Sequence, residues 1–275
     1  MSDKSALMGV VFIGLACLFL IVDNILLKGK IYYQFQEIEP LRKKAKIADS
    51  LDNLNTAFSA IHSTTRNQSS PETILNSFHT LCNQVAGVFK VYTGSDCSVC
   101  IKIFSTPPRK RGGTTNVAVT TLCRDSVHSD RDLSIDNDFK HKVIKNTDFI
   151  SILENMGKAT GQKFLCNNLP LLKGYKNTSF PHYSNNYTEK GLPDEMVDSE
   201  RQRQWPLPYK SSLVVPIDLK SSSTETFIGY LCVDSPDIET FDSDICYKLL
   251  SGISEGIYDS LDTLVKILQN GKAKS

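Results

Sequence analysis

Toward the C terminus, apolar residues recur at every second position in two short runs and then at every third or fourth position. Leu213, Val215 and Ile217 alternate with Val214 and Pro216, which predicts a strand with one face firmly buried and the other partly so. Pro216 has no backbone donor, so a sheet edge or a strand end is expected there. After a polar turn at 220–226, the stretch Phe-Ile-Gly-Tyr-Leu-Cys-Val-Asp-Ser (227–235) gives a second strand, and the two read as a strand pair. Asp242 and Asp244 offer the acceptor and the negative charge that a helix start favours. From there Leu250, Ile253, Ile257, Leu261, Leu264 and Leu268 predict one long amphipathic closing helix.

Upstream, Ser70-Pro71-Glu72 opens a helix with a cap, a first-turn proline and an acid, and Ile74, Leu75, Phe78, Leu81, Val85 and Phe89 form its apolar face. Residues 96–104 and 116–124 alternate as strands, joined by a basic loop at 107–113. Residues 136–155 carry Phe139, Val143, Ile144, Phe149, Ile152 and Leu153 and are assigned to a helix, with a short strand at 163–169. The polar stretch between Leu172 and Tyr209, rich in Asn, Tyr and Pro, is too long for a simple connection and reads either as a lid or as an insertion.

The N terminus has a different pattern. Residues 5–22 form an apolar run that continues past Asp23 and Asn24 into Ile25, Leu26 and Leu27. At about 1.5 Å per residue, residues 6–27 reach across a hydrocarbon core of roughly 30 Å. No small-x-small cleavage motif follows, so a single uncleaved transmembrane helix is preferred to a signal peptide. Lys28, Lys30, Arg42, Lys43, Lys44 and Lys46 follow the run and only Lys4 precedes it, which puts the globular part in the cytoplasm. Helically spaced Phe35, Ile38, Leu41, Leu51, Leu54, Phe58 and Ile61 then form a connector. The expected organisation is an anchor at 1–28, a helical connector at 29–62, and a domain at 63–270 with an insertion at 173–209.

The C-terminal half resembles the GAF domains. Ser211, Leu213 and Pro216, then Gly229, Leu231 and Asp234, then Phe241 and Asp244 match the order of that family's strand, turn, Gly-x-Leu-x-x-Asp strand, Phe-x-x-x-Asp and closing helix. The resemblance implies an α+β fold, an antiparallel sheet flanked by helices, here preceded by the transmembrane helix. It also implies a regulatory module that binds a small molecule or a partner protein, signals through its flanking helices and pairs as a homodimer. Helix 136–155 would cover the pocket, and Phe139, Val143, Phe149, Leu153, Phe164, Tyr183 and Trp205 are the candidate ligand-binding residues. The Asn-Lys partner of the cyclic-nucleotide subtype and the Cys-His pair of the bilin-binding members are absent, so neither ligand is supported.

Composition narrows the chemistry. A formal net charge of +1 gives no steer toward nucleic acid. Eight cysteines in 275 residues do not make a disulfide scaffold. Cys97-Ser-Val-Cys100 lies on an expected strand, where positions i and i+3 point to opposite faces, and no second pair completes a zinc site. With nothing nearby in sequence to lower a thiol pKa, and no nucleophile and base brought together, no catalytic residue, metal or cofactor is expected. The sequons at Asn67, Asn177 and Asn186 matter only with the opposite topology. Two functions stay open: a membrane-anchored cytoplasmic sensor, and a ligand-triggered effector that oligomerises and disturbs the bilayer.

Overall fold

In the computed structural model, the described residues are 27–28, 39–106, 116–131, 140–156, 163–219 and 227–272. The chain divides into residues 1–49 and 50–275. In the first unit only 27–28 and 39–49 are described, and both stretches are helical. The anchor expected at 1–28, apart from its last two residues, and the connector up to residue 38 lie outside the described residues. Among the described residues no helix is long and apolar enough to cross a membrane.

The second unit is built on one antiparallel sheet. Its strands are β1 (Ser98–Thr106), β2 (Ala118–Arg124), β3 (His141–Lys142), β4 (Phe164–Cys166), β5 (Ser211–Ile217) and β6 (Gly229–Ser235), in the order β3-β2-β1-β6-β5-β4. In this unit the helices are α1 (residues 50–66), α2 (Pro71–Thr93), α3 (Thr147–Asn155), α4 (Phe180–Tyr183), α5 (Asp198–Gln204) and α6 (Ile245–Lys272). The expected α+β class and the flanking helices are both present.

Strand alternation sorts the sheet into two faces. Val99 and Ile101 of β1, Leu213, Val215 and Ile217 of β5, and Leu231 and Val233 of β6 turn to one side. There they meet Ile74, Phe78, Leu81 and Val85 of α2, Leu54, Ala57 and Ile61 of α1, and Leu250, Ile257, Leu261 and Leu264 of α6 in the main core. On the opposite face Phe104, Val119, Val214 and Tyr230 pack with Phe149 and Ile152 of α3.

The motif residues have structural reasons. A Cβ on Gly229 would lie 2.0 Å from the Lys102 carbonyl oxygen, so only glycine lets β1 and β6 approach there. Among the described residues β4 reaches only as far as Val214, Pro216 pairs with Tyr230 of β6, and its carbonyl accepts from Ser254 Oγ of α6 at 2.6 Å. Asp242 Oδ1 accepts from the backbone N–H groups of Asp244 and Ile245, capping α6. Ser70 caps α2 through the Thr73 N–H, as its sequence signature implied.

One expectation is corrected, and the stretch read as a lid or an insertion is folded. Residues 136–155 are not one helix. Phe139 lies outside the described residues, His141 and Lys142 pair with Val119 and Ala118 as β3, Val143–Lys145 is a 3-10 turn, and α3 starts only at Thr147. Pairing to β2 wins over helical spacing there, and the Val143 N–H continues it by donating to the Val117 carbonyl at 2.9 Å. Nor is 172–209 structureless. It carries α4 and α5 and a small core of its own, in which Tyr175, Phe180, Leu207 and Tyr209 pack with Leu169.

Candidate ligand-binding site

Beyond its apolar patch, the α3 face of the sheet turns polar. Cys100 and Lys102 of β1 share the parity of Phe104, and Cys232 and Asp234 of β6 share that of Tyr230. An irregularity between Ile101 and Lys102 in the β1–β2 register keeps Thr121 opposite Lys102 and Arg124 opposite Cys100. These side chains floor a partly open cavity of about 40 Å³. Asp148 and Phe149 at the start of α3 wall it, as do His141, Asn146 and Arg131. Asn177, Ser179, Tyr183 and Tyr209 of the 173–209 segment close it, so that segment is positioned as a lid.

The charged groups of this cavity are almost fully removed from water: Lys102 is 7% exposed, Arg124 7%, Asp148 6% and Asp234 8%. Burial of charge at this density is costly unless it is compensated. Lys102 Nζ donates to Thr121 Oγ1 at 2.9 Å and to His141 Nε2 at 3.1 Å. A lysine ammonium has no lone pair, so Nε2 accepts, and the imidazole proton sits on Nδ1, 2.8 Å from Thr178 Oγ1. Burial, followed by the charges of Lys102 and Arg124, pushes the His141 pKa well down, which keeps the ring neutral. Arg124 donates to Ser98 Oγ at 2.8 Å. Arg131 reaches Asp234 at 3.3 Å and lies 4.9 Å above the Tyr209 ring, while its Nε is buried with no hydrogen-bond partner among the described residues. Burial and the neighbouring Asp234 push the Asp148 carboxyl up to about 7.

The lid wall is held by amide pairings. Asn177 Nδ2 donates to the hydroxyls of Tyr175 and Tyr209, both at 3.0 Å, and its Oδ1 accepts from the Ser179 N–H. The Asn177 sequon is therefore buried in the folded domain. Asn146 Oδ1 accepts from both the N–H and the hydroxyl of Thr178, tying the lid to the turn before α3.

Of the residues singled out from sequence, Phe149 and Tyr183 line the cavity. Val143 is buried in the apolar patch beside it, and Leu153 and Phe164 pack against that patch. Trp205 stands behind the lid wall, its Nε1 donating to the Tyr209 carbonyl at 2.7 Å and its ring edge-on to Phe180. Sequence reasoning missed Lys102, Arg124, Arg131, His141, Asp148 and Asp234. One signal was present, a lysine flanked by Ile101 and Ile103 in a strand buried on both sides.

The two cysteines of Cys97-Ser-Val-Cys100 turn to opposite faces, Cys97 into the main core and Cys100 onto the cavity floor. Burial pushes the Cys97 thiol up to about 12. The expectation that nothing lowers a thiol pKa here is corrected. Cys100 faces Cys232 across β1–β6, and the hydrogen bond between them, aided by Arg124 and Lys102, brings Cys100 down to about 6. Among the described residues no group of His, Cys, Asp and Glu is arranged to hold a metal ion.

No protein-family model matches the chain, and no curated protein matches it. Among solved structures it is similar to the GAF domain of the Acinetobacter phosphoenolpyruvate-protein phosphotransferase, with a TM-score of 0.42 and 10% identity, over 81% of this chain and 97% of that one. It is also similar to the phycoerythrobilin-bound GAF domain of a cyanobacterial phytochrome, with a TM-score of 0.40 and 12% identity, over 77% and 96% of the two chains. A third similar structure is the free methionine-R-sulfoxide reductase of Neisseria meningitidis in complex with its substrate, with a TM-score of 0.40 and 12% identity, over 81% and 93%. Likeness at this level concerns the fold alone, and the architecture stands on the sheet order and helix packing described above.

Proposed function

We propose that this chain is a membrane-anchored cytoplasmic sensor whose GAF-like domain binds a small polar molecule in the cavity beneath the 173–209 lid. The observation that carries the reading is the cavity itself. A domain that needed only a core would not bury Lys102, Arg124, Asp148 and Asp234 around a shared cavity, because each such charge costs stability that apolar packing would not. Convergent, perturbed polar groups beside an apolar wall are the usual mark of a ligand site. The domain acts as a binding module rather than an enzyme. Its output passes through α1 and α6, which meet at Phe58 against Gly256 and at His62 with Ser260. In this reading the chain pairs as a homodimer, and the apolar run at 5–27 holds it in the membrane with the domain on the cytoplasmic side.

Thermal-shift screening of the detergent-solubilised full chain against polar metabolites tests this. At least one compound is expected to raise the melting temperature of the wild type by several degrees. The same compound should lose most of that effect on Arg131→Gln. A screen in which apolar compounds act and polar ones do not would move the ligand site away from this cavity.

A further inference from the structure

The sensor reading leaves the ligand's chemical class open, and the inference that follows rests on that reading. We propose that the cavity takes a small oxyanion, no larger than phosphate or a short carboxylate, bound by Lys102, Arg124 and Arg131. Charge gives the first argument. Among the described residues lining the cavity, those cations face Asp148, Asp234 and the Cys100 thiol. Asp234 is already engaged by Arg131, Asp148 holds its proton up to about pH 7, and a Cys100 thiolate cancels at most one of the three positive charges, so the space between them stays net positive at neutral pH. Lys102 makes no ion pair among the described residues: its ammonium is bonded to a hydroxyl and to a neutral imidazole. A buried cation compensated only by dipoles is well matched to an incoming anion, since the low local dielectric strengthens the attraction.

The second argument is an unused donor. Arg131 Nε is buried without a partner among the described residues, although an unpaired buried donor of this kind destabilises the fold. A guanidinium presents its N–H groups as a planar fork suited to oxyanions, so an anion in the cavity would give this one its acceptor.

Size is the third. A volume of about 40 Å³ has room for roughly three water molecules. A nucleotide or a tetrapyrrole needs a site on the order of several hundred Å³. Access favours the same class: an open cleft of about 260 Å³, lined by Lys140, Lys142, His182 and the paired Lys145 and Glu189, shares β3 with the cavity. A basic approach of this kind raises the local anion concentration.

Isothermal titration calorimetry on the full-length chain in detergent, at fixed ionic strength in sodium chloride, tests the inference with inorganic phosphate, sulfate, acetate, glycine and ethanolamine as titrants. Saturable one-to-one binding is expected for phosphate and sulfate, or for acetate, and the first pair against the last tells a tetrahedral oxyanion from a carboxylate. The affinity should fall at least tenfold in Lys102→Gln and in Arg131→Gln, and Lys102→Arg should restore part of it. Circular dichroism confirms that each variant is folded, and the wild-type titration decides the matter even where a variant is not. Glycine counts with acetate as a short carboxylate; binding of ethanolamine without any oxyanion would overturn the anion assignment and leave the sensor reading standing. Heats no different from the chloride control for every titrant would also overturn the anion assignment, and the metabolite screen then decides whether the sensor reading falls with it.

Discussion

Buried beside Asp234, the Asp148 carboxyl is pushed up to about 7, whereas in an unfolded chain it titrates near 3.9. Lys102, Tyr175, Tyr209 and Tyr230 are the other titratable groups in its field. Between about pH 4 and pH 7 the folded chain therefore holds a proton that the unfolded chain has released. This contribution lowers stability as pH rises through that window, and below pH 4 it vanishes because both states are protonated. Asp148→Asn should accordingly stabilise the protein at pH 8 by on the order of 2 kcal/mol and leave it nearly unchanged at pH 4, as measured by thermal unfolding at both values. At this scale the sequence was least informative. Alternation showed that Cys97 and Cys100 diverge, but the thiol-lowering neighbour Arg124 comes from an adjacent strand whose register contains an irregularity. Spacing along a chain does not carry cross-strand register of that kind.

Among the elements, strands and capped helices were legible because local chemistry decides them. The Ser70 and Asp242 caps each act within a few residues. The failures were tertiary. Helical spacing over 136–155 gave way to pairing with β2, and the polar composition of 172–209 concealed a core organised by one buried arginine. Arg201, 1% exposed, donates to the carbonyls of Pro170, Leu172 and Pro193 and so ties the 169–172 turn and the turn at Pro193 to α5. Arg201→Ala should cost about 3 kcal/mol by orphaning those acceptors. The loss should be local: hydrogen exchange should accelerate across 173–209 and remain slow in β1, β5 and β6. Faster exchange across the whole sheet would instead make the segment part of the main folding unit.

For the molecule as a whole, the sheet separates two jobs. One face carries the apolar core shared by α1, α2 and α6, and the other carries the charged cavity. Occupancy of the cavity can reach the helices through the same strands, because Cys100, Lys102, Cys232 and Asp234 alternate with Val99, Ile101, Leu231 and Val233. Leu54 of α1 packs with Leu261 and Leu264 of α6 in the main core. The measurement that bears most directly on the account is native mass spectrometry of the full-length chain released from detergent micelles. The expected result is a small adduct, one per chain, retained by the wild type and absent from Lys102→Gln. A wild-type mass that stays free of any adduct, in the presence of phosphate, acetate and the hits of the metabolite screen alike, would contradict the claim that this cavity is a ligand site.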